Sequence, residues 1–283
     1  MKIGFGVVVY KESMQFCKDF TKSINSQDYS DFDILLLNDN LNCNELDIVL
    51  SSLEKNIVLL NKKLNYSIPQ LRFQLISDAK KIGYDLLILG DFDDKFSLNR
   101  IRRIVSEYNE NVSFYYNDIY YFDNEKYFNK LPNITDNLTM IIEHNYLGLS
   151  NTALNLNNID FNFIDKLFFC TSSVFDWYLY SLLLSEGHVG KMVQNCSTFY
   201  RIYDNNIAGE KEKTLNSLKK EISVKINHYN QLKKYNFVFN ELYEYYINVS
   251  LQFDDNKSSI LESTNKRSIY WWGLLNSNNY RLE

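Results

Sequence analysis

Apolar positions in the first 108 residues recur in two alternating rhythms. Residues 2 to 10 (KIGFGVVVY) form a short β-branched run bounded by charge, which reads as a buried strand. After it Phe16, Phe20 and Ile24 recur every fourth residue, as one face of a helix does. The pair then repeats, with a strand over Phe32 to Leu37, a helix over Glu45 to Leu53, a strand over Ile57 to Leu60, and a helical stripe of Leu71, Leu75, Ala79 and Ile82. A strand from Asp85 to Leu89 leads into a helix expected to bury Leu98, Ile101, Ile104 and Val105. This alternation predicts an α/β fold, a mostly parallel sheet flanked by helices on both faces.

Past residue 110 the rhythm changes. An aromatic strand spans Phe114 to Phe122, Asn-rich connections follow, a helix runs from about Ser173 to Ser185, and a last strand covers Val189 to Tyr200. From Glu210 the chain is helix-rich, with an apolar stripe at Leu215, Leu218, Ile222 and Ile226 among mixed charges. The pattern divides the chain into a domain over 1–209 and a helical C-terminal extension over 210–283.

Composition adds a few exclusions. With 283 residues, 45% of them hydrophobic, folding buries roughly 75% of the unfolded surface, so a core forms without staples. The 30 basic and 35 acidic residues are interspersed, for a net charge of -5, which excludes the basic footprint of a nucleic-acid binder. Cys17, Cys43, Cys170 and Cys196 show no metal or redox spacing and read as reduced thiols. The run after Met1-Lys2 is short and meets Lys11-Glu12 with no small-residue cleavage site, so it reads as a strand rather than a signal peptide. No stretch approaches the roughly 20 apolar residues that span a bilayer. The expected location is cytoplasmic, with the inner face of the membrane as its variant.

The strongest local feature is Leu86-Leu87-Ile88-Leu89-Gly90-Asp91-Phe92-Asp93-Asp94, an apolar strand running into three carboxylates. In open α/β sheets ligands bind outside the carboxyl ends of the strands. Hard oxygen ligands there suit Mg²⁺ or Mn²⁺ bridging substrate phosphates. The plain alternative is a solvated turn in which Asp94 or Ser97 caps the next helix. Asp39 follows the second strand in the same way and could accept a nucleobase N–H or a ribose hydroxyl, or simply form an Asx turn. Tyr10 and Glu12 leave the first strand under the same two readings. Asp176, in Phe175-Asp176-Trp177, opens a helix; it is either a base beside bulky aromatics or a first-turn carboxylate favoured by the helix dipole.

Taken in order, these pieces resemble the family 2 glycosyltransferases with the GT-A, Rossmann-like fold. Val8-Val9-Tyr10-Lys11-Glu12 is similar to that family's first strand and turn, although its usual Pro-x-Tyr-Asn is here Val8-Val9-Tyr10-Lys11. Asp39, Asn61 and Arg72 fall where the family has its nucleobase Asp and its Asn-then-Arg segment, and Asp91-Phe92-Asp93-Asp94 matches its Asp-x-Asp-Asp. Phe175-Asp176-Trp177 falls at the Glu-Asp pair that carries the base. Tyr200-Arg201-Ile202-Tyr203-Asp204-Asn205-Asn206-Ile207-Ala208-Gly209 is similar to the closing Tyr-Arg-x-His-x-Asn-Asn. The late His is Tyr203 here, and a phenol with pKa near 10 replaces imidazole poorly.

The resemblance implies an inverting transferase that moves a sugar from a UDP- or dTDP-sugar to a hydroxyl of a glycan or lipid-linked saccharide in bacterial surface-glycan synthesis, with rhamnosyltransferases among the similar enzymes. Asp176 would be the base, and Asp93 with Asp91 would hold Mn²⁺ or Mg²⁺. Val9, Tyr10, Glu12, Asp39, Arg72, Asp91, Phe92 and Arg201 would meet the nucleotide sugar, Arg201 being equally readable as a salt-bridge partner. The competing expectation, motivated by Tyr203 and Phe175, is a transferase-like subunit that binds without turnover.

Other chemistries find no support in the sequence. There is no Gly-x-Ser-x-Gly elbow and no phosphate-gripping Gly-rich loop, and His144, His188 and His228 show no ligand spacing. Tyr270-Trp271-Trp272-Gly273-Leu274-Leu275, after Lys266 and Arg267, is expected to cover a core, to pair subunits or to touch a membrane interface.

Overall fold

A computed structural model describes residues 1–202, 213–264 and 268–278. They form two compact units: Met1–Thr135, Leu147–Phe169 and His188–Ile202 make the first, and the described parts of Asp136–Tyr146, Cys170–Gly187 and Tyr203–Glu283 make the second. Each unit is built from interleaved stretches of the chain, with 136–146 and 170–187 grouping with the C-terminal helices.

The first unit runs β1 (Ile3–Val9), α1 (Cys17–Asn25), β2 (Asp33–Asn38), α2 (Cys43–Ser52), β3 (Ile57–Asn61), α3 (Ile68–Ile82), β4 (Leu86–Leu89), β5 (Lys95–Phe96), α4 (Arg100–Ser106), β6 (Phe114–Tyr120), β7 (Ile134–Thr135), β8 (Thr152–Asn155), α5 (Phe161–Leu167) and β9 (Gly190–Phe199). The sheet order is β3-β2-β1-β4-β8-β6-β9-β5, with β7 pairing β9. β3, β2, β1 and β4 are parallel, as the strand–helix rhythm predicts. Beyond β4 the sheet is mixed, because β8 returns antiparallel between β4 and β6. Every residue of β1 is buried, which is why it reads as one apolar run rather than an alternation. One face of the sheet packs Phe5, Val7, Ile34, Leu36 and Ile88 with Phe20 of α1, Val49 of α2 and Ile104 of α4. On the other face Gly6 makes room for α3: a Cβ there would lie 3.1 Å from Leu75.

Two details depart from the sequence pattern. Leu98 is 58% exposed, because α4 begins two residues later and the fully buried Arg100 takes the inward position. Neither Asp94 nor Ser97 caps α4, whose N-cap is Asn99.

Where β1 ends, chain connectivity reverses direction across the sheet. β2 and β3 lie on one side of β1 and β4 on the other, the switch-point arrangement of doubly wound sheets. Arg100 fixes that end of β4. Its Nη2 donates to the carbonyls of Leu89 (3.0 Å) and Thr152 (3.3 Å), and its Nε donates to Asn117 Oδ1 (2.9 Å). The guanidinium also lies 4.7 Å from the Phe96 ring centroid.

The second unit holds α6 (Phe175–Ser185), α7 (Leu215–Leu232), α8 (Phe237–Gln252) and α9 (Lys257–Ser263). The predicted α7 stripe buries Leu218 and Ile222, while Leu215, the helix's first residue, stays 37% exposed. His228 of α7 is fully buried, stacked on Trp177 at 4.0 Å, with Nε2 3.4 Å from Ser181 Oγ. Burial, and then the charge of Lys225, lowers its pKa from 6.5 to about 3. Burial likewise lowers His144 to about 4. No helix among the described residues is long and apolar enough to cross a membrane.

Two tests follow from this packing. A Cβ on Gly90 would run into the Phe5 ring and stand 2.7 Å from Phe96, so Gly90→Ala should cost about 1–3 kcal/mol in urea unfolding; an unchanged midpoint would mean that the two rings can yield. For His228 the folded pKa lies below the unfolded one, so the unfolded chain binds more protons between those values. Stability should therefore fall as pH drops from about 6.5 towards 3, and His228→Phe should flatten that slope. An equal slope in the variant would remove His228 as its source.

Candidate functional site

In the first unit the parallel strands deliver their ends side by side. Asp39 follows β2 and its N–H donates to the Val9 carbonyl of β1 (2.8 Å), while Gly90, after β4, donates to the Gly6 carbonyl (3.1 Å). Tyr10, Asp39 and Asp91 thereby stand at one sheet edge. The turn after Tyr10 is held by Ser13, whose Oγ donates to the Tyr10 carbonyl at 2.6 Å and accepts the Tyr10 N–H at 3.2 Å. Glu12 lies exposed in that turn.

The carboxylates are individually managed. Arg72, from α3, places Nη2 2.6 Å from Asp91 Oδ1. The Asp91 N–H donates to Ser150 Oγ (3.2 Å), and the Ser150 carbonyl accepts from Thr198 Oγ1, which in turn accepts from Asn117 Nδ2. A buried hydrogen-bond chain thus runs from Arg100 through Asn117, Thr198 and Ser150 to the Asp91 backbone. Asp94 is 1% exposed: its Oδ1 accepts the Arg201 N–H at 2.9 Å, and its Oδ2 is buried without a hydrogen-bond partner. Burial, then the charges of Asp93 and Asp91, push the Asp94 carboxyl well above the usual carboxylate range; the Ser150 hydroxyl and the Arg201 N–H act in the other direction.

Arg201 is where β9 meets this loop. Its Nε donates to the Asp93 carbonyl (2.8 Å), its Nη2 lies 2.6 Å from Asp19 Oδ2, and its guanidinium sits 4.4 Å from the Phe16 ring centroid and 4.2 Å from that of Phe122. These contacts include a salt bridge to Asp19, one of the two roles the sequence left open for Arg201. Val9 and Phe92 are 0% and 1% exposed, and Phe92 stacks on Phe20 at 4.5 Å, so what either can offer a ligand is backbone. Asn61 is exposed at the end of β3, its carbonyl accepting from Gln74.

Sequence reasoning missed several of these partners. Lys62 Nζ lies 2.7 Å from Asp39 Oδ1, and its position directly after β3 was the available signal. Asp19, Ser150 and Arg100 carry no local signal, because each meets its partner across the fold. Tyr203 and the rest of the 204–209 motif, with Lys266 and Arg267, lie outside the described residues.

The divalent cation implied by the resemblance can be tested against this loop. Among the described residues no group of three or more His, Cys, Asp or Glu side chains forms a metal cage. An all-protein cage is not what Mg²⁺ or Mn²⁺ needs when one or two carboxylates and substrate phosphates complete the shell. Hard oxygens on Asp91 and Asp93, beside a buried carboxylate oxygen with no partner, fit that requirement.

Asp176 belongs to the second unit, in the first turn of α6 and half-buried. The fully buried Asn145 donates Nδ2 to its Oδ2 at 3.3 Å. The flanking Phe175 and Trp177 are core residues, and Trp177 Nε1 donates to the Ile141 carbonyl (2.7 Å). Cys170 is buried, which raises its thiol to about 12, with Asp176 adding to the rise.

No protein-family model and no curated protein matches the chain. Solved structures do. TarS of S. aureus, residues 1–349, is 12% identical over 92% of this chain and 74% of its own, with a TM-score of 0.59. The same protein in complex with UDP-GlcNAc gives 11% identity over 92% and 75%, also with a TM-score of 0.59. The mannosyltransferase PcManGT from Pyrobaculum calidifontis, in complex with GDP-Man and Mn²⁺, gives 8% identity over 83% and 65%, with a TM-score of 0.54. The chain therefore has the GT-A glycosyltransferase fold.

Proposed function

We propose that this chain is an inverting, nucleotide-sugar-dependent glycosyltransferase. The observation that carries the reading is the gathering of Asp39, Arg72 and the Asp91–Asp94 loop at the switch point of a doubly wound sheet, where such folds bind nucleotides. The structural neighbours add support: TarS is described with UDP and with UDP-GlcNAc, and PcManGT with GDP-Man and Mn²⁺.

In this reading Asp39 meets the base or ribose of a UDP- or dTDP-sugar, and Tyr10, Glu12 and the backbones of Val9 and Phe92 line the same edge. Arg72 orients Asp91 and offers its remaining donors to phosphate oxygens. Arg201 acts through the loop it holds. Asp93, with Asp91, is the place for Mg²⁺ or Mn²⁺, which when bound neutralises negative charge on the diphosphate. Asp176 takes the proton of an acceptor hydroxyl as that oxygen attacks the anomeric carbon, and the bond to the diphosphate oxygen breaks in a single displacement. The acceptor is a glycan or lipid-linked saccharide in surface-glycan synthesis, met on the cytoplasmic side of the membrane. Residues 1–209 constitute the transferase domain of this assignment, with 210–283 as its helical extension.

Release of nucleoside diphosphate from UDP-GlcNAc, UDP-glucose, dTDP-rhamnose and GDP-mannose, with water in place of the acceptor, tests the assignment. Asp93→Ala should abolish metal-dependent donor binding. Asp176→Asn should leave donor binding intact and stop turnover. Anomeric NMR of the released sugar should show inversion, and retention would overturn the single displacement. No release from any donor would favour the subunit that binds without turnover.

A further inference from the structure

We propose that Asn145 positions the Asp176 carboxylate, and that the C-terminal segment 268–278 serves turnover by fixing Asn145. The proposal rests on Asp176 being the base. All the residues concerned lie in the second unit.

Asn145 is 0% exposed and its main chain is tied in both directions to one residue: its N–H donates to the Trp271 carbonyl (2.8 Å) and its carbonyl accepts the Trp271 N–H (3.0 Å). The bond from Asn145 Nδ2 to Asp176 Oδ2 therefore comes from a backbone that cannot drift. A donor on one carboxylate oxygen limits rotation of the group and so fixes the direction in which the carboxylate presents its lone pairs. Productive geometry of this kind is what a base needs to act in the transition state.

The Trp271 segment is itself held at several points. Glu221 accepts the N–H groups of Leu274 (3.1 Å) and Leu275 (2.9 Å). Glu143, two residues before Asn145, accepts from Tyr246 Oη (2.6 Å) and from both the N–H and the hydroxyl of Ser277 (2.8 and 2.9 Å). Lys225, also 0% exposed, stands 3.3 Å from Glu221, donates to Tyr246 Oη (3.0 Å) and donates to the Leu275 carbonyl. Directly after Trp271 the chain turns through Trp272, a non-glycine residue at φ 61°, and Gly273, where a Cβ would meet Ser268 Oγ at 2.7 Å. Backbone of this sort persists only where its surroundings over-determine it. The aromatic cluster expected to cover a core does so at Trp271, Leu274 and Leu275, and its Trp271 also makes the isolated antiparallel bridge that holds Asn145.

The test is hydrolysis of the four sugar nucleotides named above by the full chain with Mn²⁺. Water oxygen bonds to the anomeric carbon, the bond to the diphosphate breaks, and the proton passes to Asp176. Asn145→Ala removes the donor, and Asn145→Leu removes it at similar size without adding charge; the backbone pairing with Trp271 is available to both. Both should lower kcat by about tenfold or more, the scale of a hydrogen bond to a charged group, with KM for the sugar nucleotide little changed. An unchanged kcat in Asn145→Ala, while Asp176→Asn is inactive, overturns the positioning role and leaves the base in place. A loss of kcat matched by a comparable fold rise in KM overturns it in favour of a merely structural role. No turnover by the parent protein, or full turnover by Asp176→Asn, removes the base, and the positioning role with it.

Discussion

Everything at the candidate site depends on keeping three carboxylates, Asp91, Asp93 and Asp94, at the end of a buried strand without letting their mutual repulsion open the loop. The chain does this with two arginines used differently. Arg72 meets Asp91 directly at 2.6 Å, whereas Arg201 takes the Asp93 carbonyl and supplies its own N–H to Asp94. Asp94 answers the repulsion differently: its Oδ2 is buried without a hydrogen-bond partner, and burial beside Asp93 and Asp91 pushes its carboxyl well above the usual carboxylate range.

The strand end is itself braced from below. Arg100 joins the carbonyls of β4 and β8 to the Asn117 side chain of β6, and the hydrogen bonds beyond Asn117 reach the Asp91 backbone. Buried hydrogen-bond networks of this kind rigidify what they connect. Gly90 lets Phe5 and Phe96 close over the same point. The site is thus placed by the sheet and its core rather than by loops.

The parallel half of the sheet was legible because β1, β2 and β4 are apolar on both faces and alternate with clear helical stripes. The strand-end carboxylates were legible for the same reason, since a strand that runs straight into Asp residues announces where it ends. The mixed half was not: β5 and β7 are two residues long, and β8 inserts from a distance, so none carries a periodicity. Arg201 read as a phosphate ligand or a salt bridge with equal right, and its contacts with Asp19, Phe16 and Phe122 were not legible because those partners come from distant parts of the chain. Asn145 lies in an Asn-rich stretch where nothing marks one amide above another. Its importance comes from pairing with Trp271, 126 positions later in the chain, a contact that no local pattern can encode.

The most direct measurement of the central claim is a thermal-shift panel of UDP, dTDP, GDP and CDP, each with and without Mn²⁺ or Mg²⁺. A ligand that binds only the folded state raises stability by about 2.7 kcal/mol at a hundredfold excess over its Kd. The account predicts a shift with UDP or dTDP that grows when the cation is present, with that cation-dependent increment disappearing in Asp93→Ala. Absence of a shift with every nucleotide, with or without metal, would contradict it.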